Sequence, residues 1–480
     1  MTLARYTAWT LLVGAGFALW SAPARAQQPA IPVPDSSLSS VIVGYRDIPR
    51  GGITNEDLKA ARENFAKFAK YYADVIAHPL VYAIPQDFKP PTPTTRHLAI
   101  DGQYGLLQDL SRFLKEPGPS DPKVGPDQAV YIRELGAALD AELKKLIEGS
   151  DSERRIVRVN AARVLAHVCK GGAPAHYATL TSLLGNANTP TEVKYHLFHA
   201  AGNLLAAHDP NWLNSRTHVR QIDEPNVVSA LVKVLQDCIN NPVLLFAGLP
   251  ENKVEKATPD QLAVIGLVRR QAIKALAQVR FVALPGVNGA PLYPAHTLAR
   301  VALSDPALVP APGPADAGEA VIGLCNMAPV ELKNGRAVPM KYNADAAVEA
   351  ITAGLITFAE PRASDAFDRR LPWRSYGLRI AEAMRNWRPL FDPDFDPTQP
   401  NKFNASSVPP VVDDLFKDVV PNVLAPMDKV DSSGKPDIGS KVDIEGLRRR
   451  LSAIRENPKR STTLLPDNKQ TAIDFAPVKK

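Results

Sequence analysis

Apolar positions recur at helical spacing along most of the chain. Leu58, Ala61, Phe65, Phe68, Tyr72 and Val75 fall three or four apart and predict a helix over 55–78, stopped by Pro79. Thr54 is its expected cap, with Asp57 as the acidic partner three positions on. Val130, Leu135, Ala138, Leu139, Leu143 and Leu146 predict a second helix over 127–148, followed by Gly149. Between the two, 97–116 reads as a weaker helix interrupted by Gly102 and Gly105. No strand-period alternation of any length competes with the helical pattern.

From residue 150 the pattern repeats. Ser150-Asp151-Ser152-Glu153, Thr189-Pro190-Thr191-Glu192 and Thr258-Pro259-Asp260-Gln261 are capping boxes, and the last two place proline at the first helical position. Each opens a helix with the same small-small-polar-apolar-Leu-Ala segment, beginning at Ala161, Ala201 and Ala272. These starts lie 40 and 71 residues apart, one period and about two. The segment 227–238 fits the intervening unit and 344–359 a later one. A period of ~35–45 residues with two helices per unit is the mark of a helical solenoid. One such unit cannot bury both faces alone, so units stack, and small residues at the seam let helices approach closely.

Val157-Arg158, Ala161 and Leu165-Ala166, with Val268-Arg269, Ala272 and Leu276-Ala277, resemble the second helix of HEAT-like repeats. The resemblance covers about 150–360. It implies an all-α fold, an irregular HEAT-like α-solenoid of stacked helical hairpins with a Pro-rich C-terminal tail. Long Pro/Gly loops at 284–294 and 306–318 depart from an ideal array. The expected organisation is a signal peptide (1–26), a linker (27–50), an N-terminal helical region (51–149), the repeats (150–390) and a Pro-rich, partly disordered tail (391–480).

The N-terminus changes the picture by suggesting export. Arg5 precedes an uncharged run from Tyr6 to Pro23, too short to span a bilayer comfortably, and Ala24-Arg25-Ala26 offers the small residues that a signal peptidase reads. Cleavage is expected between Ala26 and Gln27, which places the mature chain in the periplasm or outside the cell. No later segment reads as a transmembrane span. The 44 prolines among 480 residues suit many short helices separated by turns. Net charge is +6, but 441–480 alone holds ten Lys/Arg against five Asp/Glu, so the body of the mature chain is close to neutral. That argues against a nucleic-acid partner, which calls for basic residues spread over the folded surface. Cys169, Cys238 and Cys325 sit in helical apolar runs and read as small buried hydrophobes.

Candidate chemistry is sparse. The chain has no GxSxG, HExxH, Walker or GxGxxG motif, and no catalytic residue, metal ligand or cofactor site is assigned. His196 and His199 share a helical face, with Tyr195 adjacent and His167, His176 and His208 in the same units; two imidazoles at this spacing still need a third metal ligand. Asp392, Asp394 and Asp396 alternate as at the start of a calcium loop, but Pro397 and Phe403 occupy the positions that need Gly and Glu. Around 373–388, Trp373, Tyr376, Ile380, Met384 and Trp387 form an apolar stripe with Arg374, Arg385 and Arg388 on its edge. Trp373, Arg374, Arg385, Trp387 and Arg388 are the candidate partner-binding residues, since Trp and Arg dominate binding hot spots; the competing reading is the terminal cap of the array. A basic amphipathic helix is expected at 441–456, with Ile444, Leu447, Leu451 and Ile454 opposite its arginines, as an accessory to the array. The function expected is that of a non-enzymatic scaffold of the cell envelope that presents a helical-repeat surface to a protein or anionic polymer. The alternative is a polysaccharide lyase or hydrolase on a helical toroid, for which Tyr195, His196, His199 and His208 form the local group.

Overall fold

The computed structural model describes residues 55–78, 107, 126–149, 155–207, 225–250, 253–286, 291–333, 336–339, 343–363, 372–392, 403–428 and 442–464. The signal segment with its Ala26–Gln27 cleavage point, the 27–50 linker, the weak helix over 97–116, His208, the Ser150–Glu153 capping box, and Asp394 and Asp396 lie outside the described residues.

The described chain is mostly helical. In order come α1 (Asn55–Arg62), α2 (Phe65–Ala77), α3 (Pro126–Glu148), α4 (Arg155–Val168), α5 (Ala175–Gly185), α6 (Thr191–Ala207), α7 (Pro225–Asn240) and α8 (Pro259–Leu276). They are followed by α9 (Pro294–Ala302), α10 (Pro314–Asn326), α11 (Ala344–Ala363), α12 (Trp373–Trp387), α13 (Pro410–Val419), α14 (Ala425–Asp428) and α15 (Ile444–Glu456). The helix expected over 55–78 is two helices. The break falls at Glu63–Asn64, where the Asn64 side-chain amide turns back to the Ala60 carbonyl at 3.3 Å.

Packing sorts the central helices by parity. Each of α4, α6, α8 and α10 packs on the next even helix, ending at α12, and α3, α5, α7, α9 and α11 contact one another in the same sequence. Small residues at the even seams make this possible. Ala161, Ala201 and Ala272 are fully buried, as their place in the repeated segment predicts. A Cβ on Gly202 of α6 would stand 3.5 Å from Ala275 Cα of α8, and the Asn203 amide donates to the Ala166 carbonyl of α4 at 2.6 Å. The three cysteines are free and buried.

One expected cap forms and another does not. Thr258 Oγ1 accepts from the Gln261 N–H while the Gln261 side chain accepts from Thr258 N–H, closing the box at the start of α8. Thr189 instead donates its hydroxyl to the Leu183 carbonyl at 2.7 Å, and Glu192 turns outward to pair with Arg155 of α4. A tertiary partner has displaced the local one.

Three short strands were not foreseen. β1 (Phe281–Ala283) pairs parallel with β2 (Ala328–Lys333), which pairs antiparallel with β3 (Arg336–Pro339). At three, six and four residues, they are too short for alternation to declare them.

The described part of the C-terminal region is folded onto the array. α15 packs on α11, with Ile444 and Leu447 buried, and Leu464 is fully buried where Thr463 and Ser461 accept from the Asn343 side chain. Arg455 and Arg460 converge on Glu349 of α11, and Arg448 reaches Glu360. The expected accessory helix is therefore docked, because its apolar stripe finds an open face of α11 close at hand.

Candidate functional site

The expected partner-binding residues around 373–388 separate into two groups. Trp373 and Trp387 are 2% and 1% exposed, so the indoles belong to the core and cannot anchor a partner. Trp373 packs against Phe358 of α11, and Trp387 meets Phe391 edge-on at 5.0 Å. Arg388 is also spent: its Nε donates to Asp413 of α13 at 2.6 Å and its guanidinium lies 5.1 Å from the centres of both the Phe403 and Phe416 rings. The stripe is therefore part of the core, with α14 packed on the same helix. Arg374, Arg385 and Leu378, the last at 48% exposure, lie on the solvent side of α12.

A groove forms elsewhere, where the first turns of α4 and α6 meet the outer face of α8. Its volume is about 770 Å³, and Arg155, Arg158, Glu192, Tyr195, His196, Phe246, Val264 and Leu267 are among its walls. Each helix contributes through its own period. On α6 the outward positions are Glu192, Tyr195, His196 and His199; on α8 they are Val264, Leu267, Arg270 and Lys274. Val264 and Leu267 stand 37% and 45% exposed on the groove wall, aliphatic surface where solvated helices ordinarily carry polar groups.

The loop after α7 closes one side. Asn241 caps a short turn over Pro242–Leu244, Ala247 N–H donates to Thr191 Oγ1 at 3.1 Å, and the fully buried Lys194 ammonium donates to the Leu244 carbonyl. Burial lowers Lys194 to about 8.

Charge in the groove is arranged but largely committed. Burial pushes the Glu192 carboxyl up, and the hydrogen bond and charge of Arg155 more than offset it, leaving the group below its usual range. Arg158 donates Nε to the Ile147 carbonyl at 2.7 Å. Tyr195 and His196 meet edge-on at 5.2 Å, and His199 Nε2 donates to Gln271 Oε1 at 2.6 Å. Burial, with His199 and Arg163 adding to it, lowers His196 to about 4, so the ring is neutral at physiological pH. The two imidazoles are 6.2 Å apart between centres, and among the described residues no group of three or more His, Cys, Asp and Glu could hold a metal ion. The groove thus combines a neutral ring pair, an aliphatic floor and arginines at the rim.

Beyond the groove the same face runs on through buried carboxylates. Asp316 of α10, 3% exposed at its side chain, takes Arg270 at 2.9 Å and Arg269 at 3.4 Å. Glu319, fully buried, takes both terminal nitrogens of Arg379 at 2.8 and 2.7 Å and Lys274 at 3.5 Å. The Arg379 hydrogen bond raises that guanidinium further, and burial followed by Glu319 pushes the Tyr376 phenol up.

A second cavity of about 650 Å³ lies between α13 and α15, but two of its arginines, Arg450 and Arg460, are tied to Asp418 and Glu349. It belongs to the docking of α15. Sequence reading found Tyr195, His196 and His199 but missed Arg155, Phe246, Val264 and Leu267. One signal was present: α8 carries Val264 and Leu267 outside the stripe of its core positions Ile265, Val268, Ala272 and Leu276, and a helix with apolar residues beyond its core stripe has further surface to cover. No helix among the described residues is long and apolar enough to cross a membrane. Comparison with family models, curated proteins and solved structures finds no match for this chain.

Proposed function

We propose that the chain is an interaction protein of the cell envelope, an irregular HEAT-like α-solenoid whose even helices present a groove to a protein partner. The observation that carries this is the exposed aliphatic pair Val264 and Leu267 on the wall of a groove of about 770 Å³. Exposed aliphatic side chains beside a concavity are what a partner's apolar residues bury against, at roughly 25 cal/mol per Å² removed from water. The parity of the packing supports the solenoid, since hairpins that stack in register bring every second helix together. The N-terminal segment through Ala26 supports export.

Selection from a displayed library of random peptides on the full chain tests the interaction role. The expected outcome is enrichment of sequences that bind the parent and fail to bind a Val264→Glu/Leu267→Glu variant of equal helix content. Binders indifferent to that variant, or no enrichment over a bare surface, would refute the groove as the functional site. Export is checked by fractionating cells and sequencing the N-terminus, which should begin at Gln27; retention of Met1 would refute it.

A further inference from the structure

Sorting the helices by packing partner also sorts their charge. The even helices α4, α6, α8, α10 and α12 together hold ten Lys/Arg against five Asp/Glu, whereas α3, α5, α7, α9 and α11 hold six against nine. The body of the chain is near neutral, so the segregation exists only in three dimensions. On the odd side the acidic excess has an occupant: Glu349 and Glu360 of α11 receive the arginines of the docked α15. The even side has the reverse geometry. Two of its carboxylates, Asp316 and Glu319, lie buried beneath the surface, and each is shared by two cations from the flanking helices, so each cluster retains a net positive charge toward solvent. Asp260 and Glu382 are the exposed carboxylates of these helices and Glu192 is paired with Arg155; set against them are Arg158, Arg270, Lys274, Arg379 and Arg385. Exposed aliphatic residues stand among these cations, Val264 and Leu267 on α8 and Leu378 on α12.

Resting on the interaction role above, we infer that the even-helix face binds an extended acidic peptide segment in which carboxylates alternate with aliphatic side chains. Its cationic edge and aliphatic floor together specify the ligand. A uronate-type polymer would match the charge alone. It would leave Val264, Leu267 and Leu378 without an apolar counterpart. Neighbouring helices stand about 8–10 Å apart, so α4 to α12 spans roughly 35–40 Å. An extended chain advances about 3.3–3.6 Å per residue, so some 10–12 residues cover the face. Potential complementarity of this kind governs encounter rate and partner choice as well as affinity, and it is screened by salt.

The test is fluorescence anisotropy on the full chain with three labelled 12-residue peptides. They share leucine and valine positions and carry Glu, Gln or Lys at the alternate sites; an oligouronate of similar length is the fourth probe. The Glu peptide should bind at least about tenfold more tightly than the Gln peptide and lose affinity steadily between roughly 50 and 500 mM salt, while the Lys peptide should not bind. Leu267→Glu and, separately, Arg385→Glu should each weaken the Glu peptide several-fold with unchanged circular dichroism. Equal, salt-independent binding of the Glu and Gln peptides would overturn the acidic assignment and leave the interaction role standing. Saturable binding of the oligouronate in place of every peptide would overturn the peptide class. Failure of all four probes, with library-selected peptides still binding at Leu267, would overturn the inference alone; failure of those selected peptides as well would remove the role on which it rests.

Discussion

Replacing Gly323 by alanine sets two effects of similar size against each other, and the structure decides the sign. Gly323 lies inside α10, where Ala in place of Gly gains about 1 kcal/mol of helix stability. A Cβ at this position would stand 2.6 Å from Leu298 Cδ1, 2.9 Å from Ala277 Cβ and 3.0 Å from Ala277 Cα. The leucine methyl can rotate away, but the Ala277 backbone at the end of α8 cannot, so α10 and α8 must part. Overpacking of this kind costs about 1–3 kcal/mol, which leaves Gly323→Ala destabilised by up to about 2 kcal/mol. Gly266 of α8 supplies the control, because a Cβ there meets nothing within 4 Å. Gly266→Ala should therefore gain close to the full propensity term of about 1 kcal/mol. Urea unfolding of both variants and the parent, followed by far-ultraviolet circular dichroism, should move the midpoints in opposite directions. If Gly323→Ala is stabilised as much as Gly266→Ala, α10 does not lie against the end of α8, and the packing of the even helices described here is wrong.

Truncation after Val430 removes Ile444, Leu447 and Leu464 from buried positions, each worth roughly 1.5–3 kcal/mol as an upper bound, so the shortened chain should melt several degrees lower or aggregate; an unchanged melt would restore the helix over 444–456 to a separable accessory. High salt should do far less than the truncation, because pairs as exposed as Arg448–Glu360 are already screened by solvent. Lys194 is lowered to about 8 against an ordinary value near 10.5, so the unfolded chain binds the extra proton between those limits. Its contribution is fully present above pH 10.5 and lost as pH falls through 8; the stability difference between parent and Lys194→Met should change across that window by up to about 3 kcal/mol, and a flat difference would contradict the burial of the amine. His196, lowered to about 4, contributes stability that is present above pH 6.5 and lost as pH falls through 4. His196→Gln should accordingly lose less stability than the parent between those values in acid-unfolding curves.

The histidine pair and the arginine edge of α12 illustrate how far a sequence reaches into a site. His196 and His199 are three apart on a helix, so their shared face follows from 3.6 residues per turn, and the structure puts them there. Trp373 and Trp387 share a stripe for the same reason, yet periodicity cannot say whether that stripe meets solvent or another helix; Phe358 and Phe391 answer it. Phe246 shows the opposite failure. It sits in a loop with no period at all, and only the Lys194–Leu244 and Thr191–Ala247 bonds bring it to the groove wall.

Legible along the chain were features set within one or two turns: the existence of most helices, the box at Thr258, the inward side of Ala161, Ala201 and Ala272, and the inward cysteines. These depend on interactions between residues a few positions apart, whose energies do not await a tertiary partner. The break at Asn64, the loss of the Thr189 box to the Leu183 carbonyl, the three strands and the docking of α15 on α11 were decided by groups tens of residues away or by balances of about 1 kcal/mol between competing hydrogen bonds. The division of charge between odd and even helices belongs wholly to the second kind. Along the chain the two sets alternate and their charges largely cancel; only when every second helix packs against the next do cations separated by a hundred residues or more in sequence come to lie on one face.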